Sequence, residues 1–156
     1  MATWRAGTAR TIITPPVGVE LSGYGFGPSV GILDDLQAQA LVLESDTATV
    51  AIVTADLIGF GAELVASVRQ RIQASLGIHD SHVLLSASHT HSGPAAEPMR
   101  QWGAVDENYV RLLADHLVGL VHVAWHNRQD ARIGIGMGRV DNVSENRRRP
   151  DGPRAA

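Results

Sequence analysis

Two histidines stand one residue apart in "SASHTHSGP", residues 86–94, behind an apolar run and ahead of a Gly93–Pro94 turn. If residues 89 to 91 stay extended, the imidazoles of His89 and His91 leave the same side of the chain and can converge on one ion. Asp56, in "TADL", sits at the end of another apolar run and offers a carboxylate that could ligate the ion or orient a histidine. The alternatives are a catalytic base or a solvated turn with two incidental imidazoles. The chain has no cysteine, so a metal here would rest on His, Asp, Glu or Tyr.

Two familiar settings for an H-x-H pair do not fit. A metallo-β-lactamase-like site wants Asp and His after the pair, where this chain has Gly93 and Pro94. An amidohydrolase barrel carries H-x-H on its first strand, and 156 residues are too few for eight strands and eight helices. "HVAWH" (122–126) has helical i, i+4 ligand spacing, but Val123 replaces the glutamate of H-E-x-x-H, and an amphipathic helix with polar-side histidines explains it better. "GIGMG" lacks the following helix of a dinucleotide fingerprint. Ser92 has no G-x-S-x-G elbow around it. "NVS" (142–144) is a glycosylation sequon without a secretory signal to give it meaning. The arginine run of "ENRRRPDGP" reads as a solvated tail, or as one arginine folding back onto an anionic or carbonyl oxygen.

The elements that must position these residues follow from periodicity. "RAGTARTIIT" reads as a strand stopped by Pro15–Pro16, and 17–35 as a long glycine-rich loop of the kind that rims active sites. "LQAQALVLES" and "TATVAIVTADL" read as two strands joined by a hairpin at "SDT". Leu64, Val65, Val68, Ile72 and Leu76 recur at helical spacing over 62–76, with Gly77 as the stop. "HVLLSAS" follows as a strand, so 49–88 forms a βαβ unit with parallel pairing. Asp106 caps a second helix that ends at Asn127–Arg128. "ARIGIGMGRV" is expected to close the order as a strand, its alternating glycines marking a close approach. The fold class expected is α/β, a mixed sheet containing a βαβ unit, over residues 1–141, with an irregular Arg/Pro-rich tail over 142–156.

Composition narrows the function classes. Hydrophobic content of 44% and charged content of 19% belong to a globular chain, not a disordered one. A formal net charge of −3 with scattered arginines gives no nucleic-acid footprint. There is no lysine, which excludes Schiff-base chemistry on that side chain. No apolar run reaches the length of a membrane span, and the N-terminus lacks a signal-peptide core, so a cytoplasmic location is expected.

Several stretches coincide with one family. "GTARTIITPPVGVELSGYG", "GILDDLQAQALVL", "VAIVTADLIG", "VLLSASHTHSGP" and "IGIGMGRVDNVSENRRRPDGP" occur in the order found in the neutral/alkaline non-lysosomal ceramidases and their bacterial relatives. The chain resembles the N-terminal part of that family's catalytic domain, and "HTHSGP" is the most specific piece. The resemblance implies a zinc-dependent hydrolase cleaving the N-acyl bond of ceramide, or of a related lipid-like amide. It implies His89 as a zinc ligand, His91 as a second polar group close to the substrate, and Arg147, after Asn146, as an active-site arginine. It differs from the family in having Leu33 where a "GIH" histidine is usual, and Gln39 in place of the arginine of "ARA". The family's remaining zinc ligands have no counterpart in these 156 residues. The chain is therefore expected to be an incomplete portion of a larger enzyme, inactive by itself. The competing expectation is a stand-alone α/β module that binds a ligand or partner without catalysis.

Overall fold

The first strand, β1 (Trp4–Ile12), is the spine of the sheet. In the computed structural model, which describes residues 3–24, 27–100 and 102–140, it pairs antiparallel with β3 (Gln37–Glu44) through eight consecutive residue pairs, Arg5↔Glu44 to Ile12↔Gln37. A short strand β2 (Leu21–Gly23) lies between them in sequence and joins a different sheet. β4 (Thr49–Ala55) turns back on β3 through the expected hairpin, where the Ser45 hydroxyl accepts from the Thr47 and Ala48 N–H groups. The helix α1 (Ala62–Leu76) then crosses to β5 (Val83–Ala87), which pairs parallel with β4. The expected βαβ unit is present.

Both helices end where their sequences say. Gly77 takes φ 71° and donates its N–H to the Gln73 carbonyl, a conformation that costs a residue without Cβ little. The second helix, α2 (Glu107–His126), is capped by the Asp106 carboxylate, which accepts from the N–H groups of Asn108 and Tyr109. It is followed by β7 (Gln129–Ala131), which pairs antiparallel with β1. Among the described residues the main sheet has the order β5-β4-β3-β1-β7, and β2 pairs with β6 (Ser92–Pro94) in a separate two-stranded ribbon.

The core lies between the sheet and the two helices. Ala38, Ala40 and Val42 of β3 and Ala51, Val53 and Ala55 of β4 point to the helix side, where they meet Leu64, Val68 and Ile72 of α1 and Leu113, Leu117 and Val121 of α2. The small residues let the helices sit close. At Gly7 the approach is closest: a Cβ there would run into the Ala124 carbonyl of α2. Tyr109 is buried and donates its hydroxyl to the Ile13 carbonyl at 2.8 Å, tying α2 to the end of β1. Burial pushes its ionisation above the ordinary tyrosine range.

A charge cluster closes the other end of the sheet, with Arg128 largely buried, Glu44 partly so and Arg5 exposed. Arg128, with 9% of its side chain exposed, stacks over the Trp125 ring at 3.2 Å. Its Nε lies 3.0 Å from Glu44 Oε2, although that N–H is not aimed along the line, and Arg5 approaches the same oxygen at 3.2 Å.

Two expectations are corrected. Residues 132–140 do not continue the last strand: β7 covers three residues, and Gly134, Gly136 and Gly138 have nothing packed against them. Glycines offer no side chain to bury, so their alternation there marks no close approach. The loop over 17–35 is also less irregular than expected, since it contains β2.

Candidate active site

Strand directions bring three loops to one edge. β1, β4 and β5 run the same way, so the chain after Ile12, after Ala55 and after Ala87 emerges side by side, as the pairs Ala38↔Ala55 and Ala55↔Ala87 require. Ligands collect at such carboxyl edges in α/β sheets. His89 and His91 stand here, as does Asp56.

Asp56 is occupied. Its Oδ2 accepts from the Gln37 N–H at 3.0 Å and its own N–H donates to the Gln37 carbonyl at 2.9 Å, so it fixes the start of β3. The next two residues, Leu57 and Ile58, are buried and anchor the segment that follows. Ile58 turns its carbonyl toward the histidine turn, and His89 Nδ1 lies 2.7 Å from that oxygen. A carbonyl can only accept, so Nδ1 carries the proton and Nε2 keeps its lone pair. A metal-binding imidazole held by a backbone carbonyl has this arrangement.

His89 is not extended. Its φ is 62°, left-handed and uncommon for any residue with a side chain. The two imidazoles therefore do not project in parallel as an extended 89–91 would require. They meet edge to face instead, with ring centroids 4.7 Å apart and planes at 76°. His91 packs further against Tyr24 at 4.7 Å and Trp102 at 6.1 Å, and its Nδ1 is buried without a protein partner. Both aromatic neighbours escaped the sequence reading. Tyr24 lies in the glycine-rich loop already expected to rim a site, whereas nothing around Trp102 signalled a role.

The β2–β6 ribbon fixes this geometry. Ser22 pairs with Gly93 and Leu21 with Pro94, so the glycine-rich loop is stitched to the residues after His91. Gly23 has to be glycine, because it takes φ 115° and a Cβ would strike the His91 backbone. Glu20 extends the stitching: its carbonyl accepts from Ala95 and its carboxylate from Ala104. Beside the turn lies a pocket of about 220 Å³, lined by Val19, Leu21, Ile32 and Leu33 together with the polar Asp34, Thr90 and Ser92.

The remaining candidates separate from this edge. His122 is hydrogen-bonded through Nε2 to Ser75 Oγ at 2.8 Å, in the last turn of α1 and at the opposite end from the histidine turn. His122 thus ties α2 to α1, His126 is exposed, and neither combines with His89. Ser92 is exposed and its N–H turns back to the Thr90 hydroxyl. Arg147 and the 142–156 tail lie outside the described residues. Among the described residues no three His, Asp or Glu side chains converge closely enough to hold a metal ion. His89 fits a metal ligand by its tautomer, as one donor only.

The chain is similar to known proteins along nearly all its length. It is 33% identical over 158 aligned residues to a neutral ceramidase of Drosophila melanogaster, which covers 94% of this chain. Among solved structures it matches the neutral ceramidase of Pseudomonas aeruginosa with a TM-score of 0.73 and 25% identity over 83% of the chain. It matches a second solved structure, a ceramidase complexed with C2, with a TM-score of 0.80 and 26% identity over 94% of the chain. The chain spans 22% of the Drosophila protein and 22% and 25% of the two solved chains. No family model matches it. The resemblance to neutral ceramidases and the mixed α/β architecture are both established.

Proposed function

We propose that this chain, similar to neutral ceramidases over nearly its whole length, forms the histidine-bearing corner of a zinc-dependent amide hydrolase acting on ceramide-like lipids. The observation that supports it is the 2.7 Å contact between His89 Nδ1 and the Ile58 carbonyl, which leaves Nε2 unprotonated for a metal. Zinc, when bound, makes a coordinated water nucleophilic near neutral pH and polarises the amide carbonyl. In the overall reaction water adds across the acyl C–N bond, giving a fatty acid and a free amine.

The other residues of this edge bind and orient. His91, wedged between Tyr24 and Trp102, is held as a rigid polar group beside the metal ligand. Arg147 would place a guanidinium on the carbonyl oxygen as negative charge develops there. Val19, Leu21, Ile32 and Leu33 in the lining of the neighbouring pocket suit a hydrocarbon chain. Since catalytic zinc takes about three protein ligands, residues 1–156 alone are proposed to be inactive and to bind zinc weakly.

The test is His89→Ala in the whole protein, followed by zinc content and hydrolysis of an N-acylsphingosine. Loss of both supports the reading. A variant with wild-type zinc and wild-type turnover removes His89 from the site and the reading with it.

A further inference from the structure

The peptide that joins Ile58 to Gly59 carries the carbonyl facing His89 Nδ1, and its atoms from one Cα to the next move as a single plane. Whatever fixes that plane fixes which nitrogen of His89 is left for a ligand. One end is held by Ile58, whose side chain is buried. The other end is the Gly59 Cα, which in a trans peptide lies on the same side as the Ile58 oxygen.

A half-buried carboxylate rests on that end. A Cβ built at Gly59 would stand 2.5 Å from Glu97 Oε1 and 3.6 Å from Glu97 Cδ, with nothing else within 4 Å beyond its chain neighbours. Gly59 does not take a positive φ, so its missing side chain supplies room and not backbone freedom. The same side chain reaches the start of α1, its Cβ 3.2 Å and its Oε2 3.9 Å from where a Cβ of Gly61 would stand. Gly61 is the N-cap of α1 and gives the first turn no side-chain cap. Negative charge is favoured at that end of a helix. The backbone carrying Glu97 is itself anchored, because Ala95 and Ala96 are buried and Ala95 donates its N–H to the Glu20 carbonyl. Both partners in each of these contacts lie within the described residues.

We propose that Glu97 is a positioning residue for the candidate metal ligand: its carboxylate, seated on Gly59 at the start of α1, holds the 58–59 peptide so that the Ile58 carbonyl keeps the His89 proton on Nδ1. The proposal rests on the reading of His89 as a metal ligand, but the imidazole it orients can be followed with no metal present.

The experiment is a double-mutant cycle in the whole protein with Gly59→Ala, Glu97→Ala and the two together. In metal-stripped protein, long-range proton–nitrogen NMR correlations report the His89 tautomer, and zinc affinity is then measured by competition with a chelator. The wild type is expected to show Nδ1–H. Each single variant is expected to show mixed tautomers and to bind zinc roughly tenfold more weakly, the scale seen when the support of a ligating histidine is removed. The double variant is expected to be no weaker than Glu97→Ala, because the new methyl group then enters vacated space. Glu97→Gln keeps an oxygen of the same reach over Gly59 and should restore the wild-type tautomer and affinity. Gly59→Ala displaces only the end of a flexible side chain and should keep the wild-type thermal transition, so it decides the matter where Glu97→Ala does not fold. Wild-type tautomer and zinc affinity in the single variants overturn the proposal, even if their melting temperatures fall. Additive losses in the double variant overturn it too, since the two positions would then act separately. The metal reading fails on a different result: a wild type that takes up no zinc, with a His89 tautomer still dependent on Glu97, leaves the positioning role standing.

Discussion

The Ile58 carbonyl and His89 Nδ1 lie 2.7 Å apart, and this one hydrogen bond decides which nitrogen of His89 is available to a ligand. Ile58 is 4% exposed and cannot easily retreat. Long-range proton–nitrogen NMR correlations should show His89 as the Nδ1–H tautomer. His89→Asn keeps an N–H near the Nδ1 position and should preserve the turn while removing Nε2. It is expected to melt like the wild type and to lose zinc as fully as His89→Ala. A wild-type spectrum showing the Nε2–H tautomer contradicts the assignment.

Gly7 and Ala124 set the distance between sheet and helix. Because a Cβ at position 7 meets the Ala124 carbonyl, Gly7→Ala should push α2 outward, at a cost of about 1–3 kcal/mol or more. Urea titration monitored by tryptophan fluorescence measures this. An unchanged midpoint would mean the helix has room to move.

Tyr109 makes the fold sensitive to alkali. Its hydroxyl ionises above the ordinary value of about 10 because burial disfavours the phenolate. Above that value the unfolded chain loses this proton while the folded chain keeps it, so stability falls as pH rises. The contribution is complete below about pH 10 and declines above it. Tyr109→Phe should flatten that part of the stability–pH curve and cost about 1 kcal/mol at neutral pH for the lost bond to Ile13.

Glu44 neutralises Arg128 in a place where the guanidinium is largely out of water. Glu44→Gln leaves that charge without its carboxylate and is expected to destabilise by roughly 3 kcal/mol. Exchanging Arg128 for Met together with Glu44→Gln should restore much of the loss, since an apolar chain can still pack on Trp125. Thermal unfolding of the single and double variants gives the comparison.

Much of this architecture was legible because it is local. The helix of 62–76, its Gly77 stop and the Asp106 cap follow from spacing and capping chemistry within a few residues. The βαβ unit follows from the order of those patterns. What was not legible depends on partners distant in sequence. The left-handed His89 comes from the stitching of β6 to β2 and the pull of the Ile58 carbonyl, neither of which a period of two can express. Trp102 joins His91 only through the folded loop, and 132–140 looked like a strand because alternation was mistaken for packing. The motif pointed to this turn, but spacing alone did not give the left-handed conformation in which His89 is held.

The β2–β6 ribbon has a kinetic consequence. β3 and β4 are joined by a hairpin and β1 and β3 by eight residue pairs, whereas Leu21 and Pro94 must find each other across a longer stretch of chain. Closing that loop is entropically costly and is rewarded by only three residue pairs. The histidine turn should therefore assemble after the sheet and reopen before it. Amide exchange at Leu21 and Gly23 should run far ahead of exchange in β3 and β4. On that expectation the histidine turn comes apart and re-forms while the scaffold stays folded.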